Sequence, residues 1–234
     1  MKRFYSEVSV AETDGGWRVL LDGRPIRTAN GAAQVVPSAA LANLLAEEWR
    51  AQGEEIDPAT FIMRDMADYA IDVVRPEREA TLAKLMGYAE TDTLCYRADP
   101  DEPSYKRQRK LWEPLVTACE ARLGVSVVRV SGVLHKPQKP ETLAAMRAEL
   151  EPLDEFALAG LVNLASLAAS LIIALAALEP GSDAQALFNA SNAEEDWQAE
   201  LWGWEWTAEE RRANRARAFG LSVDFIRAAQ GTAA

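Results

Sequence analysis

Residues Ala157 to Leu178 read ALAGLVNLASLAASLIIALAAL, and these 22 residues carry no charge. A helix of that length would cross a hydrocarbon core of ~30 Å at ~1.5 Å per residue, so a membrane span is one interpretation. However, the stretch contains Asn163, Ser166 and Ser170, and its flanks are acidic, without a nearby lysine or arginine anchor. A helix that is apolar all round can equally form the centre of a helical domain. We therefore predict a buried helix here and no stable membrane insertion.

The first third of the chain has the pattern of β-structure. Short runs of apolar and β-branched residues predict strands at Val8–Val10, Trp17–Leu21 and Pro25–Thr28. Asp22-Gly23 lies between the last two runs. Such a pair favours a β-hairpin, because a two-residue type I′ turn needs positive φ at both central positions.

Beyond the hairpin, a further short strand is predicted at Gln34–Val36, and then the spacing of apolar residues becomes mostly helical, apart from a β-like run at Val125–Leu134. Helices are predicted from Pro37-Ser38 to Gly53 and over Phe61–Val74, Glu77–Thr91, Tyr105–Leu123, Glu141–Leu150, Ala184–Asn189 and Glu194–Ala229. The sequence thus predicts an α+β protein. A small mixed α/β N-terminal domain with a β-hairpin, residues 1–75, precedes a larger all-helical C-terminal domain, residues 76–234.

The formal net charge of −11 disfavours binding to nucleic acid or to an anionic membrane, because like charges repel at long range. The two cysteines, Cys95 and Cys119, lack a metal-like spacing and are expected to be reduced thiols. His135 is the only histidine, and without a second histidine or clustered cysteines a structural zinc site is not expected. A Ser-His-Asp triad would have to use His135, and no nucleophile-elbow motif accompanies it. No glycine-rich dinucleotide motif or Walker lysine is present. The sequence therefore predicts no catalytic residues, no metal and no cofactor.

The segment from Ser191 to Arg212, SNAEEDWQAELWGWEWTAEERR, contains four of the seven tryptophans, interleaved with carboxylates. Two capping-box patterns, Ser191 with Glu194 and Thr207 with Glu210, predict helix starts at both places.

On one continuous helix from Glu194 to Trp206, the tryptophans would divide between two nearly opposite faces. Between these faces would run a ridge formed by Glu194, Gln198, Leu201 and Glu205. One aromatic face and the ridge would then be available to a partner, because tryptophan with a charged rim is typical of binding hot spots. The alternative is that Gly203 breaks the helix and all four rings pack internally.

Several strings, taken in order along nearly the whole chain, resemble the assembly chaperones that hold the alpha subunit of the F-type ATP synthase catalytic head. They are RFYSEVSV (Arg3 to Val10), LDGRPIRT (Leu21 to Thr28), LAEEWRAQ (Leu45 to Gln52), AID (Ala70 to Asp72), ETDTLCYRAD (Glu90 to Asp99), QRKLWEP (Gln108 to Pro114) and EEDWQAELWG (Glu194 to Gly203). The chain departs from the family pattern in three places. Phe61-Ile62-Met63-Arg64 and Met66-Ala67-Asp68-Tyr69 replace the usual strings before AID, and Trp204-Glu205-Trp206-Thr207 replaces an acidic run.

The resemblance implies a non-enzymatic chaperone that binds the unassembled alpha subunit and shields its interface until the beta subunit replaces it. Such a patch would otherwise invite aggregation. We expect the free protein to be monomeric. We also expect it to work in the bacterial cytoplasm, which corresponds to the mitochondrial matrix in organelle-bearing relatives.

For partner binding, the ridge and the adjoining aromatic face select Glu194, Gln198, Trp202 and Glu205. The opposing interpretation is that Glu194 only caps a helix and Trp202 belongs to the core. Six further residues match family positions and are predicted to be structural: Trp49, Asp72, Asp92, Tyr96, Gln108 and Trp112.

Two other functions stay open from the sequence. One is an enzyme with a small-molecule site in a cleft between the domains, using acids such as Asp68 and Asp72. The other is a generic adaptor that binds a different, basic protein. A pull-down distinguishes the three functions by what is retained.

Overall fold

The computed structural model describes residues 1–132 and 134–231, and these residues form two compact units. Unit 1 consists of Met1–Glu79, Asp154–Gly160 and the chain from Leu221 onward, and unit 2 of Ala80–Leu153 and Leu161–Gly220. Both units combine segments that are distant in the sequence. Because compactness does not test independent folding, the predicted domain boundary near residue 75 stays a prediction.

Unit 1 contains a three-stranded antiparallel sheet in the order β1-β2-β3. Its strands are β1 (Val8–Thr13), β2 (Gly16–Leu21) and β3 (Arg24–Pro25). Asp22 and Gly23 connect β2 to β3 with φ of 48° and 74°, which confirms the predicted hairpin turn. The third strand is shorter than predicted.

Gly16, at the start of β2, marks the point where the predicted strand at residues 34–36 approaches the sheet. That segment is a single bridge, in which Trp17 and Val36 exchange two backbone hydrogen bonds of 2.8 Å. A Cβ at Gly16 would lie 2.3 Å from the Val36 carbonyl oxygen. Only glycine permits this approach.

Helix α1 (Ala39–Arg50) begins where the Ser38 hydroxyl accepts a hydrogen bond from the Leu41 amide. It packs against β1 and β2, and its last buried residue is Trp49. The Trp49 ring lies between Tyr5 and Phe61, at centroid distances of 5.5 and 4.5 Å. This aromatic cluster forms one end of the unit 1 core.

The helix predicted at residues 61–74 begins at Ile62, and its last five residues are π-helical rather than α-helical. Helix α2 (Ile62–Tyr69) continues into a π-helical turn, Ala70–Val74, before α3 (Arg78–Glu90). The segments from residue 154 and from residue 221 complete unit 1. A Cβ at Gly160 would lie 2.4 Å from Ile226, so glycine permits close packing there.

Unit 2 is built around α4 (Pro103–Leu123), which runs through Pro114 and ends at Gly124 in the left-handed conformation. Its Trp112 is fully buried and donates from Nε1 to the Ala190 carbonyl at 2.7 Å. The other helices wholly within unit 2 are α5 (Pro140–Leu150), α7 (Leu171–Ala176), α8 (Ala184–Ser191) and α9 (Ala193–Trp202).

A small parallel pair, β4 (Tyr96–Arg97) with β5 (Val130–Ser131), interrupts the helices of unit 2. It lies partly within the predicted β-like run 125–134, of which residue 133 falls outside the described residues. The α+β class is therefore confirmed, although the C-terminal part is mainly rather than entirely helical.

The uncharged stretch at residues 157–178 is buried as predicted, but it is not one helix. Helix α6 (Glu155–Ala168) ends just before Ala169, which has a φ of +48°, and Ser170 then caps α7. Two short helices cannot span a bilayer as one long helix would. In the described parts of the chain, no helix has both the length and the apolarity to cross a membrane.

Candidate partner-binding surface

The tryptophan segment is two helices joined by a short loop. Helix α9 ends at Trp202 because Gly203 has φ +82° and ψ 161°, a conformation that favours glycine. Helix α10 (Trp206–Ala229) begins three residues later. The prediction of a continuous helix through Trp206 is therefore wrong.

Both predicted capping boxes are also wrong. Ser191 is the last residue of α8, and its hydroxyl donates to the Phe188 carbonyl at 2.7 Å. Helix α10 starts one residue before Thr207, whose hydroxyl donates to Glu205 Oε1 at 2.7 Å. Helices do begin near both predicted places, at Ala193 and at Trp206, but neither start uses the predicted serine or threonine as its cap.

The break at Gly203 does not bury the rings. Residues Leu201–Trp206, which we call the aromatic loop, have exposed side-chain fractions of 54% for Leu201, 77% for Trp202, 38% for Trp204 and 76% for Trp206. Trp197 is half-buried beneath the Arg107 guanidinium, 5.9 Å from the ring centroid. The alternative in which all four tryptophans pack internally is therefore wrong as well. An apolar group of this size on a surface is typical of a binding site.

Helix α4 supports the aromatic loop from one side. Arg107 forms an ion pair with Glu200 at 2.6 Å, and the buried Gln108 donates from Nε2 to Glu194 Oε1, also at 2.6 Å. Gln108 Oε1 in turn accepts from the Ala98 amide at 2.8 Å. Glu194 thus joins α9 to α4, which gives it a structural contact although its side chain remains largely exposed.

Helix α10 supports the loop from the other side. The Arg212 guanidinium binds both carboxylate oxygens of Asp196, at 2.6 and 2.7 Å, and lies 5.8 Å from the centre of the Trp204 ring. Arg215 pairs with Glu195 at 3.3 Å. Bidentate arginine pairs fix geometry well. The sequence analysis missed Arg212, because it lies sixteen residues from Asp196 and no local pattern connects the two.

A groove of about 710 Å³ lies beside α9. It brings together three of the four predicted binding residues, Glu194, Gln198 and Trp202, whereas Glu205 lies outside its lining. The other lining residues are Thr91, Thr93, Tyr96, Arg97, Ala98, Glu102, Pro103, Ser104, Gly132, Trp197 and Leu201. The groove therefore has an aromatic wall formed by α9 and a polar wall that includes the residues around β4.

One family-matching position, Tyr96, and its neighbour Arg97 shape the polar wall. The Tyr96 hydroxyl lies 3.0 Å from His135 Nδ1. The next residue, Arg97, is buried, donates from Nε to the Leu94 carbonyl at 2.7 Å, and has Nη2 3.2 Å from Glu113. Burial lowers the pKa of Arg97, an effect opposed by Glu113. This arrangement fixes the backbone beside the groove.

Asp92 lies behind the same wall and is buried. Its carboxylate accepts from the Leu94 amide at 3.0 Å, the Ser170 hydroxyl at 2.9 Å and the Ile172 amide at 2.9 Å. Burial raises the pKa of Asp92 to about 6, although these hydrogen bonds lower it. The carboxylate thus ties the loop at residues 91–95 to the start of α7.

In unit 1, Asp68 and Asp72 hold the loop that follows the hairpin. Asp72 accepts from the Thr28 hydroxyl at 2.8 Å and the Asn30 amide at 3.0 Å, and Asp68 accepts from the Ala29 amide at 3.1 Å and Gln34 Nε2 at 2.5 Å. Burial raises the pKa of Asp68. Both carboxylates are therefore engaged in holding backbone. Within residues 1–132 and 134–231, no group of His, Cys, Asp and Glu could hold a metal ion.

An exposed aromatic loop held between two helices is typical of a protein-binding surface. Comparisons with known proteins identify the family to which the chain belongs. The sequence model of the ATP12 chaperone protein matches residues 2–120, just over half of the chain. The chain therefore belongs to the ATP12 family of ATP synthase assembly chaperones, as its strings predict. Membership in a chaperone family implies a non-enzymatic protein.

Solved structures agree with this assignment. The chain is 38% identical to Atp12 from Paracoccus denitrificans, with a TM-score of 0.91 over 97% of this chain and 98% of that one. A point mutant of the same protein gives 38% identity and a TM-score of 0.90, with 97% of each chain covered. The Atu1473 protein of Agrobacterium tumefaciens is 35% identical, with a TM-score of 0.93 over 97% of this chain and 85% of that chain.

Proposed function

We propose that this chaperone binds the unassembled alpha subunit of the F-type ATP synthase in the bacterial cytoplasm, and that it covers the subunit interface until the beta subunit replaces it. The observation that supports this proposal most directly is the exposed aromatic loop, Leu201–Trp206, in a member of the ATP12 family. No cofactor or hydrolysis is needed for such a placeholder.

The physical basis is the balance between apolar anchors and a charged rim. Trp202 lines the groove beside α9, while Glu194 and Gln198 supply polar contacts along the same helix. Buried aromatic anchors contribute most of the binding free energy at an interface, whereas exposed charges chiefly set orientation and association rate. A partner held in this way can be displaced by one that covers a larger apolar area.

The test is a binding assay with purified alpha subunit and the double variant Trp202→Ala/Trp206→Ala. Both rings are exposed, so the variant should fold with an unchanged melting temperature. Loss of a hot-spot residue costs on the order of 2 kcal/mol, or about 30-fold in affinity, so the double variant should bind at least ~30-fold more weakly. The matched control is Phe4→Ala, which removes an exposed ring from unit 1. If Phe4→Ala weakens binding more than the double variant, the aromatic loop is not the binding site.

A pull-down with tagged wild-type protein separates this function from the alternatives. Recovery of the alpha subunit without beta supports the placeholder function. Stoichiometric recovery of an unrelated protein would support a generic adaptor. Recovery of no protein while free alpha subunit is present would contradict both.

A further inference from the structure

A second groove of about 840 Å³ runs along α4, lined by one side of that helix and by Pro100. Its cationic residues are Lys106, Arg109 and Lys110, all exposed. Four of the five residues from Lys106 to Lys110 are basic, in a chain whose formal net charge is −11. These basic residues form a local positive patch on a chain of opposite net charge.

The three cations of the groove have no ion pair among the residues that the structure describes. Their neighbour Arg107 is different, because it pairs with Glu200 outside the groove. Glu113 is the one acid of the lining, and Arg129 and Arg97 hold it at 2.7 and 3.2 Å. The positive charge of the groove is therefore not neutralised from within.

The remainder of the lining is mainly apolar or small. Tyr105 lies beside the cations, with its ring centroid 6.0 Å from the Arg109 guanidinium carbon. The other members are Pro100, Pro114, Thr117, Ala118 and Ala121. Small side chains allow an occupant to approach the helix closely, and apolar ones favour an occupant that carries apolar groups of its own.

Pro114 leaves one carbonyl of α4 without its usual hydrogen-bond donor. It lies inside α4 and has no N–H, so the carbonyl oxygen of Lys110 lacks the i+4 donor that a helix normally provides. Such a carbonyl can accept a hydrogen bond from the backbone of an occupant. Cations for carboxylates, apolar surface for side chains and an acceptor for a backbone amide together match a polypeptide.

We propose that the groove along α4 docks an acidic segment of a partner protein, in which carboxylates alternate with apolar residues. The carboxylates contact Lys106, Arg109 and Lys110, and the apolar side chains lie against Pro114 and Ala118. This surface is separate from the aromatic loop, and the proposal does not depend on the identity of the chaperone's client. Nucleic acid fits less well, because the rest of the chain repels it.

The test measures fluorescence anisotropy of a short labelled peptide of alternating Glu and Leu with the full chain. Binding should weaken as salt rises, because exposed charge interactions are screened. The double reversal Lys106→Glu/Lys110→Glu should weaken it at least ~10-fold. The control, Arg211→Glu/Arg217→Glu, changes two exposed arginines of α10 and alters the net charge equally. It should change the affinity less than ~2-fold.

Three results with an added ligand would overturn the proposal. They are an absence of peptide binding at low salt, equal weakening by the two double reversals, and tighter binding of a poly-uridine RNA than of the peptide. A concentration-dependent mass shift of the free chain that Lys106→Glu/Lys110→Glu abolishes would also overturn it, because a second copy would then be the occupant. Circular dichroism of both variants should match the wild type, since all four residues are exposed.

Discussion

Asp92 shows most clearly how one residue links distant segments. Its carboxylate is 1% exposed, yet three hydrogen bonds to its oxygens join the loop at residues 91–95 with Ser170 and Ile172. The sequence analysis predicted a structural, hydrogen-bonded role for Asp92 but did not identify these partners. They lie 78 and 80 residues away, beyond the reach of any local pattern.

We expect Asp92→Asn to change how stability depends on pH. Because the folded-state pKa is raised to about 6 from 3.8, the folded protein holds a proton that the unfolded chain has lost between these values. The free energy of unfolding contributed by Asp92 therefore rises as the pH falls through 6. Between pH 7 and pH 5 the wild type should gain about 1 kcal/mol relative to Asp92→Asn.

Urea unfolding of both proteins at several pH values measures this difference. The pKa values of Glu48, Asp65 and Asp68 are also raised by burial, but they are common to both proteins and cancel. A difference that is constant with pH, or that shrinks as the pH falls, would contradict the buried ionisable carboxylate.

At the scale of elements, helix boundaries explain where the sequence analysis succeeded and where it failed. Periodicity located most of the helices, because burial of one face imposes the spacing. It did not find the break at Ala169-Ser170, and it left the break at Gly203 only as an alternative to a continuous helix. Asp92 from another segment holds the first break. Arg212 of α10 contacts Asp196 and Trp204 on either side of the second. Periodicity within one segment contains neither piece of information.

Gly203 is the residue on which the orientation of the aromatic loop depends. Nothing lies within 4 Å of a Cβ built there, so Gly203→Ala changes the backbone preference without a steric clash. A non-glycine residue at φ +82° is strained by about 1–3 kcal/mol. We expect a lower melting temperature and a weaker complex with the alpha subunit, because α9 would tend to continue and re-orient Trp202 and Trp204.

The matched control for this change is Gly53→Ala. Gly53 also has open space around a built Cβ but no positive φ, so this variant should keep both its stability and its partner binding. Differential scanning calorimetry and the alpha-subunit binding assay measure the two effects separately. Equal behaviour of Gly203→Ala and Gly53→Ala would mean that the conformation at Gly203 is not required.

At the scale of the whole molecule, the family was predictable from strings dispersed over the entire chain, whereas the binding surface was predictable only in part. The strings around Trp49, Asp92 and Trp112 carry packing and hydrogen-bonding constraints that the fold requires. The exposure of Trp202 and Trp206 depends on which helices lie nearby, and a single sequence does not encode that directly. The assignment of the alpha subunit as partner stays a prediction.

At the same scale, the chain carries two surfaces of opposite charge. The aromatic loop lies among acids such as Glu200 and Glu205, while the cations of Lys106–Lys110 concentrate on α4. Because the two surfaces differ in charge, electrostatics favours a different partner segment at each surface and helps to set its orientation. An acidic protein of this kind can therefore keep one region of local positive potential for recognition.

The measurement that tests the central claim most directly is displacement. Labelled alpha subunit is first saturated with this chaperone, and purified beta subunit is then titrated in while chaperone release is followed by native mass spectrometry. We expect a one-to-one complex of chaperone and alpha that disappears as the alpha–beta complex forms. A stable ternary complex of all three proteins, or no complex with alpha at all, would contradict the placeholder mechanism.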